Sequence, residues 1–258
     1  AYVAVLVAGP AVATAAVDRV VRRRPAVRAA FVAALTWTAL GGRSLERAAT
    51  LIATQVAADD LPAARAHLPT LVGRDPTGLS GHEVCRAAIE SAAENTADAV
   101  TGPLLWGVVG GPAGVVAYRA ANTLDAMVGH RSARYERFGW AAARLDDMLT
   151  WPAARLAAFL AVALAPSVGG RRADAWRVLR RDGRRHPSPN AGRVEAAFAG
   201  ALGVRLGGQN RYPGRVERRP RLGEGRAPSA GDVLRAARLA RLTGLVSAAL
   251  LVAARSRR

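Results

Sequence analysis

The chain has 258 residues and is short of several residue types, and each shortage excludes a class of protein. A single cysteine, Cys85, excludes a disulfide framework and a cysteine-based zinc site, because both need at least a pair. Lysine is absent, so arginine supplies all 37 of the Lys and Arg positions, against 19 acidic residues. Hydrophobic residues make up 51% of the chain, which can therefore bury a core and is not mainly disordered.

Aromatic residues are also scarce, at 5%, and this bears on the formal net charge of +18. A nucleic-acid-binding protein would explain such a charge, but its basic residues should gather on one face with aromatic residues between them. Here the arginines are spread through every loop and, with the abundant Ala, Val, Gly and Pro, are typical of a GC-rich genome. We therefore expect no nucleic-acid partner and keep nucleic-acid binding as an alternative.

No stretch reaches a charge-free span of about 20 strongly apolar residues. Five shorter apolar runs occur, at residues 1–17, 26–40, 99–118, 152–168 and 239–254. Alanine dominates them, so each could instead be a buried helix of a soluble bundle. Arginines flank the first and last runs, and Trp37, Trp106 and Trp151 lie within or beside the others, as in aromatic belts. We predict a multi-pass protein of the cytoplasmic membrane, in contact with lipid and of undecided orientation.

The remaining residues favour helices and loops, since no stretch alternates cleanly with period two. The predicted fold class is all-α, a polytopic membrane helical bundle with amphipathic helices and a long Arg/Gly/Pro-rich polar segment. We expect one membrane-embedded domain over residues 1–258, which opens without Met and is taken as a trimmed chain. Its parts are membrane helices (1–40), a helical hairpin and carboxylate helix (41–98), membrane helices with a connecting motif (99–168), a polar catalytic segment (169–238) and a last membrane helix (239–254).

Several local sequence patterns predict where helices begin and end. Residues 43–71 predict an amphipathic helical hairpin that breaks at residues 59–62, and the pair Trp151-Pro152 predicts the start of a membrane span. Ser80 and Glu83 form a capping-box pattern, which predicts a helix beginning just after Ser80. Gly129 is expected to end a later helix.

Carboxylates recur every four residues on the helix after Ser80, at Glu90, Glu94 and Asp98, with Asn95 beside them. Like charges at this spacing destabilise a helix, so a positive group should offset them. A hard cation such as Mg²⁺, which takes carboxylate and phosphate oxygens, would do so. Structural ion pairs with Arg86 and other arginines are the alternative.

A second polar strip follows the third apolar run, where Arg119, Asn122 and Asp125 step by three along one helix face. Charged side chains at membrane depth are functional candidates, because burying them is costly unless they face a cavity. Downstream, Asp146 and Asp147 are either functional or, with Arg144, a surface cluster.

A third candidate is the arginine-rich loop over residues 180–195, which contains His186, Ser188, Asn190 and Arg193. Its prolines fix an extended loop, and Asn190 is expected to cap the next helix, presenting N–H groups and Arg193 to a phosphate. A solvated arginine-rich loop is the alternative. A Gly-bounded turn over residues 73–78 offers Arg74 and Asp75 to a ligand or merely shapes the chain. No Walker A loop is present.

Together these segments resemble the adenosylcobinamide-phosphate synthases of cobalamin biosynthesis, an integral membrane enzyme family. The resemblance runs in order over about residues 1–239. It is carried by the stretches 72–75, 79–80, 90–98, 118–129, 134–135, 138–147, 186–192 and 195–197. Family members usually begin with a further hydrophobic segment bearing Asp-Pro and His-Pro pairs, for which this sequence shows no match.

The resemblance implies ATP-dependent amide synthesis that joins aminopropanol, or its phosphate, to a propionate carboxyl of adenosylcobyric acid. Partners would be this corrinoid, the amine, membrane lipid, and either a homo-oligomer or other cobalamin-biosynthesis enzymes. A membrane transporter with intramembrane carboxylates is the remaining alternative. We expect catalytic roles for Glu90, Glu94, Asp98, Asp125 and His186, with the four carboxylates holding Mg²⁺. Expected substrate or phosphate contacts are Arg74, Asp75, Asn95, Arg119, Asn122, Asp146, Ser188, Asn190 and Arg193.

Overall fold

The computed structural model describes residues 2–129, 138–212 and 215–256. Most of this part of the chain is helical, which confirms the predicted all-α class. The α-helices are α1 (Tyr2–Val21), α2 (Pro25–Ala39), α3 (Gly42–Ala57), α4 (Leu61–His67), α5 (Gly81–Thr96), α6 (Gly102–Val128), α7 (Trp140–Leu164), α8 (Arg172–Asp182), α9 (Ala191–Leu202) and α10 (Ala230–Ser256). Residues 134–135, which carry part of the family resemblance, and the terminal positions 1, 257 and 258 lie outside the described residues.

Within the described ranges, four helical segments are long and apolar enough to cross a membrane, at Tyr2–Val21, Gly81–Val128, Trp140–Val168 and Ala230–Ser256. Only 6% of the apolar window of α1 is buried inside the protein, so its hydrophobic surface needs a covering that lipid supplies. The second predicted run is the exception. It forms α2, whose 15 residues rise about 22 Å, short of the ~30 Å hydrocarbon core.

The described chain divides into two compact units. The smaller comprises residues 1–41, 98–153 and 248–258, and within it α6 packs against α1 and α2. Its helix α6 breaks at Gly111, which has φ of +61°, a value that L side chains rarely adopt. Pro112 follows and removes a backbone donor, so this long apolar helix is kinked where sequence alone predicts a continuous run.

The larger unit comprises residues 42–97 and 154–247 and contains a contiguous hydrophobic core. Within it α3 packs on α4 and α5, and α9 packs on α5 and α8. All residues of α9 except Arg193 are buried, so the segment predicted as polar contains a core helix. Alanine and glycine line this helix, and their small side chains allow the backbones to approach closely.

A β-hairpin also belongs to this unit, formed by β1 (Leu206–Tyr212) and β2 (Arg215–Leu222) in antiparallel register. Asn210 lies opposite Glu217, and Gly208 lies opposite Arg219. The register shifts between Leu206 and Gly208, and Gly207 there has φ of +77°. Such a bulge bends the strand and re-aims its backbone groups, which matters for the site described below.

Several local predictions are confirmed. The hairpin of helices breaks where expected, because Asp59 has φ of +59° and Asp60 caps α4 by accepting from the N–H of Ala63. Both halves of the capping box are present between Ser80 and Glu83. Helix α6 ends at Val128 with Gly129 as its C-cap.

Two boundaries differ from prediction. Helix α7 begins at Trp140 and continues through Pro152, so the pair Trp151-Pro152 does not start the span. A proline removes one ladder hydrogen bond, and the apolar residues on both sides sustain the helix across it. The carboxylate helix also differs from the prediction, because its regular α-helical geometry ends before Asp98. Residues Ala97–Thr101 form a π-helical turn, which takes Asp98 out of the regular four-residue repeat of Glu90 and Glu94.

Candidate functional site

A cavity of about 140 Å³ lies within the larger unit, between α5, α9, the hairpin and the turn before α5. Its wall carries four charged side chains with little exposure to solvent, together with Glu94 and the hydroxyl groups of Ser91 and Tyr212. The lining residues are Leu71, Val72, Gly73, Arg74, Glu90, Ser91, Glu94, Glu195, Tyr212 and Arg219. Three predicted site residues, Arg74, Glu90 and Glu94, therefore meet at one cavity.

Glu90 is the centre of a buried ion-pair network on α5. One carboxylate oxygen accepts from Arg74 at 2.6 Å, and the other accepts from the backbone N–H of Gly207 at 2.8 Å. Arg86, one turn earlier, lies 3.5 Å from the same carboxylate. The structural ion-pair alternative thus describes Glu90, each of whose carboxylate oxygens accepts a hydrogen bond.

The two arginines also fix the hairpin. Arg86 donates to the carbonyl oxygens of Gly207 and Gln209, at 2.6 and 2.8 Å, and the bulge turns these groups toward α5. Arg74 and Arg86 both donate to the side-chain oxygen of Asn210. Arg74 is only 6% exposed, and its hydrogen bonds to Glu90 and Asn210 are internal. Neither Arg86 nor Asn210 was among the predicted site residues.

Glu195 on α9 contributes a second buried carboxyl group, and it was matched only as part of the family resemblance. It is 1% exposed, and among the described residues its Oε1 atom has no hydrogen-bond partner. Burial, followed by the charges of Glu90 and Glu94, raises the pKa of Glu195 well above its ordinary value. The site therefore contains a carboxyl group whose charged form is poorly compensated.

His186 lies beside this carboxyl group, with Nε2 3.9 Å from Oε1 of Glu195. The N–H of Ser188 donates to Nδ1 at 3.1 Å, and Arg219 on β2 lies 3.3 Å from Nε2. Burial and the Arg219 charge lower the pKa of His186 to about 4, so the imidazole is neutral at physiological pH. His186 is thus close to the cavity wall, and its catalytic role stays a prediction.

Arg219 reaches the cavity from β2. It donates to the Tyr212 hydroxyl at 3.1 Å and to Glu217 at 3.2 Å, and these contacts hold the guanidinium group in place. Sequence reasoning missed Arg219 and Tyr212 because both lie in the hairpin, which lacks an alternating pattern of apolar residues.

Other predicted residues of this unit have local roles. Asn95 donates to the carbonyl and hydroxyl oxygens of Ser91, and half-buried Asp75 accepts from the N–H of Thr77. That hydrogen bond lowers the pKa of Asp75. Asp75 therefore shapes the turn before α5, the second of the two roles that its sequence context allows.

The predicted cap of α9 is wrong in one detail. The side chain of Asn190 makes no cap hydrogen bond, and its oxygen accepts from Arg155 at 2.6 Å. The hydroxyl of Ser188 instead accepts from the N–H groups of Asn190 and Ala191. Because Ser188 satisfies donors that a phosphate would use, the loop presents fewer N–H groups than predicted. Arg193 remains partly exposed one turn into the helix.

The smaller unit holds the rest of the predicted residues. Arg119 donates to Asn122 at 2.9 Å, and Asn122 donates to Asp146 at 3.1 Å. Thr150 continues this chain, since its hydroxyl lies 3.4 Å from Asp146 and 3.1 Å from the hydroxyl of Tyr118. The structure thus unites Arg119, Asn122 and Asp146 in one hydrogen-bonded network.

Of the predicted magnesium ligands, Glu90 and Glu94 belong to the larger unit, and Asp98 and Asp125 belong to the smaller one. Within the described residues, no group of three or more His, Cys, Asp or Glu side chains is arranged to hold a metal ion. Arginine and backbone donors already occupy the carboxylate oxygens of Glu90, and the magnesium site stays a prediction.

The apolar spanning helices and the buried charged cavity define an α-helical membrane protein with a small polar site. The model of the family described as "CobD/Cbib protein" matches residues 1–240, which include every cavity residue. The chain belongs to this CobD/Cbib family.

Curated relatives agree with this assignment. The "Cobalamin biosynthesis protein CobD" of Mycobacterium tuberculosis strain H37Rv is 52% identical over 251 residues, covering 97% of this chain and 80% of that protein. The protein of the same name from Geobacter metallireducens is 49% identical over 192 residues, covering 74% and 60% respectively. The one from Rhodobacter capsulatus is 47% identical over 194 residues, covering 75% and 60%. No solved structure matches the chain.

Proposed function

We propose that this protein acts in cobalamin biosynthesis as an amide-forming enzyme of the cytoplasmic membrane. It would join aminopropanol, or its phosphate, to a propionate carboxyl of adenosylcobyric acid. The observation that carries the proposal is the buried cavity with carboxyl and guanidinium groups, all of whose residues fall inside the family match. The names of the relatives support a biosynthetic role over transport or nucleic-acid binding.

Amide formation needs a carboxylate that has a leaving group, since a free carboxylate resists attack by an amine. ATP, arriving as its Mg²⁺ complex, would supply a phosphoryl group and convert the carboxylate to an acyl phosphate. The amine nitrogen then forms the bond to the acyl carbon, phosphate leaves, and the nitrogen loses a proton. In this scheme magnesium is part of a substrate.

The chain's own groups would bind and orient these reactants. Arg155 on α7 donates to Asn190, which lies three residues before the partly exposed Arg193, so a phosphate bound at the start of α9 would meet guanidinium groups. A corrinoid is much too large for a cavity of about 140 Å³, so only a smaller reactant can enter it.

The reaction is tested by incubating purified protein with adenosylcobyric acid, ATP, Mg²⁺ and aminopropanol phosphate. We expect a corrinoid product with the mass of the amide, formed together with ADP and phosphate in equal amounts. Omitting ATP, or replacing it by a non-hydrolysable analogue, should abolish the product. Absence of product in the complete mixture, with protein that still melts cooperatively, would contradict the proposal.

Arg193→Ala tests the phosphate role of the loop. We expect a higher KM for ATP or for aminopropanol phosphate, and only partial recovery with Arg193→Lys, because lysine cannot bind in bidentate fashion. The non-phosphorylated aminopropanol serves as the control substrate. Unchanged KM values for both phosphorylated reactants would remove Arg193 from the site.

A further inference from the structure

One buried carboxyl oxygen in the cavity wall has no hydrogen-bond donor among the described residues. Oε1 of Glu195 is buried, and no described residue donates a hydrogen bond to it. A buried acceptor without a donor costs about 1–3 kcal/mol, and more when the group is charged. The other buried carboxylate, Glu90, accepts hydrogen bonds from Arg74 and from the N–H of Gly207 and lies 3.5 Å from Arg86. A ligand in the cavity would therefore gain most in binding free energy by donating an N–H group to Glu195.

Arg219 has the complementary property, because some of its hydrogen-bond donors are not used within the described part of the protein. A guanidinium group has five N–H donors, and the hydrogen bonds to Tyr212 and Glu217 use two of them. Arg74 and Arg86, by contrast, are committed to Glu90, Asn210 and the backbone of the hairpin. Arg219 is thus the cavity cation with capacity to bind an anionic group of a ligand.

The cavity volume limits the ligand further. About 140 Å³ is the space of roughly five water molecules, at about 30 Å³ each. A molecule of this size would match both side chains if it carried two charged ends. A cation with several N–H donors would pair with Glu195, and an anion would pair with Arg219. A primary ammonium group has three N–H donors, and a phosphate group takes bidentate contacts from arginine.

We propose that this cavity is the subsite for the small amine reactant, with its ammonium group at Oε1 of Glu195 and its phosphate at Arg219. The inference rests on the proposed function, because it identifies the occupant as the amine that becomes part of the amide. It assigns binding residues that the sequence motifs did not single out. It also selects the phosphorylated amine over the free amino alcohol.

The test is direct binding to purified protein in detergent, measured by titration calorimetry with three probes and without corrinoid or ATP. The probes are 1-aminopropan-2-yl phosphate, propan-2-yl phosphate, which lacks the amine, and 1-aminopropan-2-ol, which lacks the phosphate. We expect the first to bind at least tenfold more tightly than either fragment. Equal affinity of the three probes would overturn the proposal.

Variants assign the two ends of the ligand. Glu195→Gln should weaken the amino phosphate at least tenfold while leaving propan-2-yl phosphate unchanged. Arg219→Lys should weaken both phosphates several-fold and leave 1-aminopropan-2-ol unchanged. Matched controls are Glu224→Gln and Arg218→Ala, because these residues are exposed and lie away from the cavity wall. Wild-type affinity of Glu195→Gln for the amino phosphate would refute the assignment.

If Glu195→Gln fails to fold, Tyr212→Phe provides a second test. This substitution removes only a hydroxyl group from the cavity wall. Both phosphates should then bind several-fold more weakly, and unchanged affinities would overturn the proposal. Amino phosphate binding without corrinoid product would contradict the proposed function alone. Product formation with unchanged binding by Glu195→Gln would contradict this inference alone.

Discussion

Replacing Glu90 by glutamine would remove the negative charge from between two guanidinium groups. Arg74 and Arg86 lie 2.6 and 3.5 Å from its carboxylate, and both arginine side chains are less than 10% exposed. Glutamine keeps the size of the side chain but replaces one acceptor oxygen by an NH₂ group. That donor would face either the N–H of Gly207 or the guanidinium group of Arg74.

The expected loss follows from this geometry. Breaking a buried ion pair by removing one partner costs about 3–5 kcal/mol, because the other charge stays buried without compensation. At about 2–4 °C per kcal/mol for a protein of this size, the melting temperature should fall by about 6–20 °C. The loss should also loosen the hairpin, because Glu90 binds the bulge at Gly207.

The assay is thermal unfolding in a mild detergent, followed by circular dichroism. Glu83→Gln on the same helix is the matched control, because glutamine also completes a capping box and the substitution should change little. If Glu90→Gln melts within about 2 °C of wild type, Glu90 does not compensate the two arginines and the ion-pair network is not structural.

Three further predictions concern other parts of the chain. Carbonate at high pH should leave the protein in the membrane pellet, because four segments are suited to span it, and release into the supernatant would contradict this. Glu94→Gln and Asp125→Asn should abolish product formation while shifting the melting temperature by less than half as much as Glu90→Gln, and activity near wild type would remove both from the site. The free energy of unfolding should fall as pH drops from about 6.5 to about 4, because His186 has a lowered pKa and the unfolded state binds the proton first. His186→Gln should flatten this pH dependence, whereas His67→Gln should not, and equal profiles would contradict the assignment.

Much of the helical frame could be predicted from sequence because its signals are local. Ser80 and Glu83 form the capping box within one helical turn, and the break at Asp59 and Asp60 also depends on neighbouring residues. Apolar composition likewise identified the long helices. It overestimated only the run that forms α2, whose 15 residues are too few for a span.

The site was harder to predict because its partners are distant in sequence. Arg74 meets Asn210 and Glu90 meets Gly207, each more than 110 residues away, through a hairpin that packs on α5. A bulge at Gly207, rather than alternating hydrophobicity, sets that hairpin's position, so the sequence pattern did not reveal a strand. The sequence also could not show that Ser188, and not Asn190, would cap α9, since either side chain suits that role.

The cations of the cavity wall are all arginines, and this has a consequence for chemical selectivity. An acyl phosphate reacts with any unprotonated amine within reach, and a lysine beside it would compete with the substrate for the acyl group. Guanidinium groups keep their protons at all physiological pH values and do not act as nucleophiles. In the proposed reaction, Arg74 and Arg219 could therefore hold anions without becoming acylated, which would protect the protein from modification by an activated intermediate.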